Sequence, residues 1–232
     1  MFTSQRTIIK VLKSSSFAYP KMIKNTTGIF KLKNFLIFIL FLSALSNCSK
    51  ENRKTVNENE AVTILVQPFK DINSKDVGLL AEEIRKIYPK IKVLEPIDFP
   101  DNSYYKLRNR YRADSVISFL GKNTQKGFVT IGLTNKDISA TKGSIKDFGI
   151  MGLSFRPGNA CVASGFRLNK KNRNEQFFKV AIHELGHTQG LKHCPEKTCF
   201  MRDAEGKNPT DEEKDFCKKC RQILMNKNWK FS

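Results

Sequence analysis

The sequence predicts an α/β fold, a mixed twisted β-sheet layered with helices, and three observations lead there. Short β-branched apolar runs alternate with segments whose apolar residues recur at helical spacing, the layout of strands interleaved with helices. A helix-forming stretch near residue 180 is closed by a glycine, where a chain can reverse direction. A cysteine-rich tail follows, with four of the six cysteines inside 27 residues, so a metal or disulfides must staple it.

Taken in order, residues 61–67 (AVTILVQ) are apolar and β-branched and are closed by Pro68, which marks a first strand. Val77, Leu80, Ala81, Ile84 and Ile87 then recur at helical spacing between Asp76 and Pro89 and give a helix with one buried face. Residues 91–94 make a short second strand. Between Ser103 and Gly121 the pattern predicts a second helix with Leu107, Tyr111, Val116, Ile117 and Leu120 inward, interrupted at Asp114 or Ser115. Residues 127–133 (GFVTIGL), 148–153 (FGIMGL) and 159–166 (NACVASGF) read as strands, the last two separated by a Pro157-Gly158 turn. Residues 176–189 form the next helix, packing through Phe177, Val180 and Ala181. There is no internal repeat and no low-complexity tract.

A chain of 232 residues holds one ordinary domain with a small appendage. Its net charge of +19 raises the question of nucleic acid. The first 48 residues carry seven basic and no acidic residues, leaving 34 basic against 22 acidic in the rest, or +12. Those lysines are scattered among Asp and Glu without an Arg-rich helix, so no nucleic-acid partner is expected.

Residues 35–45 (FLIFILFLSAL) are uncharged and follow Lys31 and Lys33, a signal-peptide layout too short for the roughly twenty residues of a membrane span. Leu45-Ser46-Asn47-Cys48 resembles a bacterial lipobox. The expectation is therefore export, with Cys48 lipidated and the protein anchored to a bacterial membrane facing periplasm or exterior. Soluble secretion and a retained helix are the alternatives, and either Met1 or Met22 is the start. Residues 1–48 make the export segment, 49–60 a polar tether, and 61–232 the folded domain, divided into 61–190 and a small C-terminal subdomain at 191–232.

The chemistry lies in residues 178–201 (FKVAIHELGHTQGLKHCPEKTCFM). His183 and His187 are one helical turn apart, so their imidazoles share a face about 5 to 6 Å apart and both reach one zinc at about 2.0 to 2.1 Å. Glu184 lies beside them. Gly190 can take the left-handed conformation that ends a helix and turns the chain back, which delivers His193. Three histidines with one coordination position open make a catalytic zinc site, and the sequence contains no other histidine. The implied reaction is metal-assisted hydrolysis of a peptide bond, with Glu184 as general base toward the zinc-activated water.

Cys194, Cys199 and the pair Cys217 and Cys220 supply four thiolates, enough to close a tetrahedral structural zinc. A Cys194–Cys199 disulfide with a redox-active Cys217–Cys220 pair is the competing arrangement. Paired spacing, and the use of a metal staple in a small subdomain, favour zinc. His193 and Cys194 are adjacent, and neighbouring side chains of an extended segment point opposite ways. The two sites therefore need not compete, and two zinc ions per chain are expected.

At these residues the sequence resembles the archaemetzincins, whose extended histidine motif runs directly into a Cys, a second Cys, a Met and a later C-x-x-C. Here these are His183 to His193, Cys194, Cys199, Met201, and Cys217 with Cys220. The resemblance covers residues 61–228. It implies a metzincin fold, a mixed twisted sheet with an active-site helix and a backing helix above the cleft, and it casts Met201 as the Met-turn residue under the histidines. It also implies that residues 159–164 are the edge strand that pairs with an extended peptide, Cys161 on it being an ordinary buried thiol. No tyrosine follows Met201 to act as a further ligand or oxyanion donor. The expected protein is a monomeric zinc metallopeptidase acting on peptides or proteins. The alternative is a non-catalytic zinc-dependent module that binds peptide or nucleic acid.

Overall fold

A computed structural model describes residues 61–231. Residues 1–60, with the expected export segment, Cys48 and the tether, lie outside the described residues.

Two sheets carry the fold. The first contains β1 (Thr63–Pro68), β2 (Ile91–Val93), β5 (Phe128–Thr134), β8 (Gly152–Ser154) and β9 (Ala160–Ser164), in the order β2-β1-β5-β9-β8. Its first four strands in that order are parallel, and β8 is antiparallel to β9. The second contains β3 (Tyr104–Tyr105), β4 (Arg110–Arg112), β6 (Ile138–Lys142) and β7 (Ile145–Ile150), in the order β3-β4-β6-β7. This is the mixed α/β class that the strand and helix pattern predicts.

Alternation along the central strands sorts side chains between two cores. Ile64, Val66, Val129, Ile131, Leu133, Cys161 and Ala163 pack with α1 (Ser74–Ile87) and α3 (Arg173–Thr188) on one face. Ala160 and Val162 face the other way, toward Val116, Ile117 and Leu120 of α2 (Ala113–Lys122). Strands covered on both faces explain the near-continuous apolar runs in the sequence. At Gly132 a Cβ would stand 2.8 Å from Leu120 and 3.0 Å from Phe69, so the glycine lets α2 close onto the sheet. Asn73 caps α1 by accepting from the Asp76 N–H at 2.8 Å, and Pro89 follows its end.

Three expectations are corrected. The helix placed between Ser103 and Gly121 begins only at Ala113, because residues 104–112 form β3, a short 3-10 turn and β4. Tyr111 there stacks on Phe99 with ring centroids 3.9 Å apart and pairs with Ile138, while Leu107 is 83% exposed. Its place in an apolar rhythm was coincidental. The strand placed at residues 148–153 is divided at Met151 between β7 and β8, which belong to different sheets. The strand cast as the edge, β9, is interior, with β5 on one side and β8 on the other. The edge is β8.

The C-terminal residues share the α1 core. Phe216, Leu224 of α4 (Lys218–Met225) and Trp229 are buried with it. Trp229 lies 5.2 Å from Tyr88 between ring centroids, and the Lys230 N–H donates to Ile87 O at 2.8 Å.

Candidate metal centres and cleft

The orientation of α3 is set by Phe177, Val180, Ala181 and Leu185, all buried in the main core. The same rotation turns His183 and Glu184 to the cleft. The helix ends as its glycine requires: Gly190 has φ +96°, and N–H groups of Gly190 and Leu191 donate to His187 O and Gly186 O at 2.8 and 3.1 Å. The reversed chain carries His193 back. Ring centroids are 4.6 Å apart for His183 and His187, 5.4 Å for His183 and His193, and 4.8 Å for His187 and His193. One donor atom from each lies within 4.8 Å of the others.

Hydrogen bonds select the donor atoms. His183 Nδ1 lies 2.7 Å from Phe200 O, and His187 Nδ1 lies 2.7 Å from Leu191 O. A carbonyl only accepts, so both Nδ1 atoms carry the hydrogen and both Nε2 atoms keep a free lone pair. His193 Nδ1 lies 3.1 Å from Asp203 Oδ2. An acceptor behind each imidazole is the outer-shell arrangement of metal-bound histidine. Burial, then the neighbouring imidazoles, pushes His183 down to about 3. Burial likewise lowers His187 to about 4. Both rings are neutral, as ligands must be. Three imidazole nitrogen donors with one side open to the cleft suit zinc.

Glu184 accepts from Ser154 Oγ at 2.8 Å through Oε2. Burial pushes its carboxyl up to about 8, with the Ser154 hydroxyl opposing. A divalent charge beside it acts in the same direction as Ser154. Met201 is fully buried beneath the helix. A Cβ at Gly186 would stand 2.5 Å from Met201 Sδ, so only glycine lets the thioether pack between the turns that carry His183 and His187.

Behind His193, the sulfur atoms of Cys194, Cys199, Cys217 and Cys220 lie within 4.8 Å of one another. Cys194 and Cys217 are 3.7 Å apart. Sulfurs held about 2.3 Å from a common tetrahedral centre would stand about 3.8 Å apart, whereas a disulfide needs about 2.05 Å. The Cys217 N–H donates to Cys199 Sγ at 3.3 Å and the Met201 N–H at 3.5 Å. Burial raises Cys199 to about 11 and raises Cys220 further. Burial raises Cys217 too, but hydrogen bonds from the Cys220 N–H and the neighbouring thiols outweigh it, and its thiol is lowered. The donor set fits a closed zinc site. Cys161 is remote from this cluster, buried in the sheet, with its thiol raised by burial.

Donor geometry of this kind defines a class, the zinc metallopeptidases. Comparison narrows it: residues 64–226 match peptidase family M54, and the chain belongs to that family. It is 34% identical over 162 residues to an archaemetzincin of Archaeoglobus fulgidus, spanning 68% of this chain and 95% of that one. The crystal structure of the A. fulgidus archaemetzincin complexed with malonate superposes with a TM-score of 0.60 at 30% identity, covering 70% of this chain and 99% of that one. That of the Methanopyrus kandleri archaemetzincin gives 0.62 at 26% identity, covering 74% and 98%.

These relatives overturn the expectation of a lipid-anchored protein exported to a bacterial membrane. They are archaeal archaemetzincins matched over nearly their whole length. Among the described residues no helix is long and apolar enough to cross a membrane, α3 at 16 residues being the longest.

Several residues of the site escaped the sequence reading. Asp203 stands two residues beyond Met201, near enough to the motif to have drawn attention. Lys179, a charge on the buried side of α3, was a second visible signal. Ser154 and Gly152 lie about thirty residues upstream and carry no local signature.

Proposed function

We propose that His183, His187 and His193 hold a catalytic zinc through Nε2 and that Glu184 is the general base of peptide hydrolysis. Bound zinc supplies a Lewis acid and an acidified water. Glu184, held by Ser154 through Oε2, would move a proton from the attacking water to the leaving nitrogen. The observation that carries the reading is the set of Nδ1 acceptors, Phe200 O, Leu191 O and Asp203, which orients three imidazoles toward one point.

Cys194, Cys199, Cys217 and Cys220 hold a second, structural zinc in this reading, supported by four sulfurs within 4.8 Å of one another and 3.7 Å between Cys194 and Cys217. Residues 61–232 are then the catalytic unit, with 191–232 its zinc-stapled part. Every donor of both clusters comes from one chain, which supports action as a monomer. The peptide substrate binds extended along β8, whose outer edge has no ladder partner among the described residues.

The test is zinc content of the purified chain together with cleavage of a mixed peptide library with and without chelator. Two zinc ions and chelator-sensitive cleavage that Glu184→Gln abolishes would support it; cleavage untouched by Glu184→Gln would remove the mechanism.

A further inference from the structure

The cleft beside the histidines is a cavity of about 490 Å³, and besides Glu184 two buried ionisable residues line it, Lys179 and Glu213, each 5% exposed. They differ in how they are satisfied. The Lys179 ammonium donates to Thr210 O at 2.8 Å and Glu213 O at 2.7 Å and pairs with Glu175 Oε1 at 2.6 Å. Its three hydrogens have three acceptors. Lys179 thus ties α3 to the segment that carries Glu213, and its hydrogens are all used there. The Glu213 carboxylate, in contrast, has no hydrogen bond or ion pair among the described residues. Its oxygens keep some solvent contact through the cavity, but burial of the residue reduces their hydration.

We propose that Glu213 determines substrate specificity, its carboxylate receiving the cationic end of a lysine or arginine side chain of the peptide that enters this cavity. The inference rests on the peptidase reading and adds a substrate class to it. Val180 and Phe148, which also line the cavity, suit the methylene stem of such a side chain. Three other basic groups of the wall have partners of their own. Arg167 donates through Nε and Nη2 to Asp137 at 2.9 Å each, Arg202 pairs with Glu212 at 2.5 Å, and Lys142 lies 4.8 Å above the Phe148 ring. Consistent with an uncompensated group, burial pushes the Glu213 carboxyl up to about 7 against the pull of Lys179 and Arg202.

The test uses peptides identical except for Lys, Arg, Met or Glu at the positions flanking the cleaved bond. The wild-type kcat/KM should favour Lys or Arg over Met by about 10-fold to 100-fold, the worth of one charge-assisted contact. Glu213→Gln, with zinc content and melting temperature checked, should bring that ratio to about threefold or less and leave the Met peptide nearly unchanged. Glu213→Asp keeps the charge and should keep the preference. Calorimetric binding to the zinc-loaded Glu184→Gln chain, with and without Glu213→Gln, gives the same comparison without turnover. An equal loss on all peptides, or a preference for Glu, overturns the assignment. Selective binding of basic peptides without cleavage would sustain Glu213 while refuting the peptidase mechanism; neither binding nor cleavage would refute both.

Discussion

Gly152 on β8 and Glu184 on α3 are in such close apposition that a Cβ at position 152 would stand 2.5 Å from Glu184 Cγ and 2.7 Å from Cδ. The absence of a side chain there is what lets the carboxylate lie against the sheet edge, where Ser154, two residues on, donates to it. The proposed base is therefore positioned by a strand about thirty residues earlier in the chain.

Gly152→Ala should displace that carboxylate. Peptide hydrolysis should fall by about 10-fold or more, since a misplacement near 1 Å costs on that order or beyond, while both zinc ions remain. Steady-state kinetics beside metal analysis checks this, and an alanine variant with full kcat would show that Glu184 is not held by this contact.

Glu184→Gln keeps the shape of the side chain and removes its basicity. Turnover should fall about 100-fold to 10,000-fold with zinc content unchanged, because the residue is not proposed as a ligand. Loss of zinc in this variant would instead make Glu184 a ligand.

The two clusters should respond differently to mutation. Replacing Cys217 and Cys220 with Ser should remove one zinc and lower the melting temperature sharply, since a closed structural site contributes about 10 to 16 kcal/mol in apparent terms and is coupled to folding. Removing His183 should cost the other zinc and activity but leave most of the fold. One zinc in the wild type, with no free thiols at the four cysteines, would establish disulfides.

The lowered pKa values of His183 and His187 keep these two imidazoles neutral well into acid. A free imidazole of pKa 6.5 loses roughly 30-fold in metal affinity at pH 5 through protonation. With folded values of about 3 and about 4, these two remain neutral there, so protons displace metal from them only as pH falls toward 4. Cobalt substitution, which distinguishes nitrogen from thiolate coordination by visible absorption, can follow the titration. A loss of the histidine signal that is steep in two protons between pH 7 and 5.5 would contradict the buried, neutral pair.

Between sequence and tertiary structure the division of labour follows distance along the chain. Spacing alone brought His183 and His187 to one helix face, and Gly190 alone announced the reversal that returns His193, because helical periodicity and a left-handed glycine are local properties. Pairing of cysteines near the end was legible for the same reason, as were the buried faces of α1 and α3. What the sequence misjudged were relations between strands. Residues 148–153 look like one apolar run, yet Met151 separates two sheets, and residues 160–164 are interior because β8 folds back antiparallel over them. Ser154 beside Glu184, Asp203 behind His193, and Glu213 in the cleft wall likewise come from segments up to about thirty residues from their partners. No periodicity encodes such meetings: sheet order and the packing of helices against both faces decide them, and those depend on burial across the whole domain.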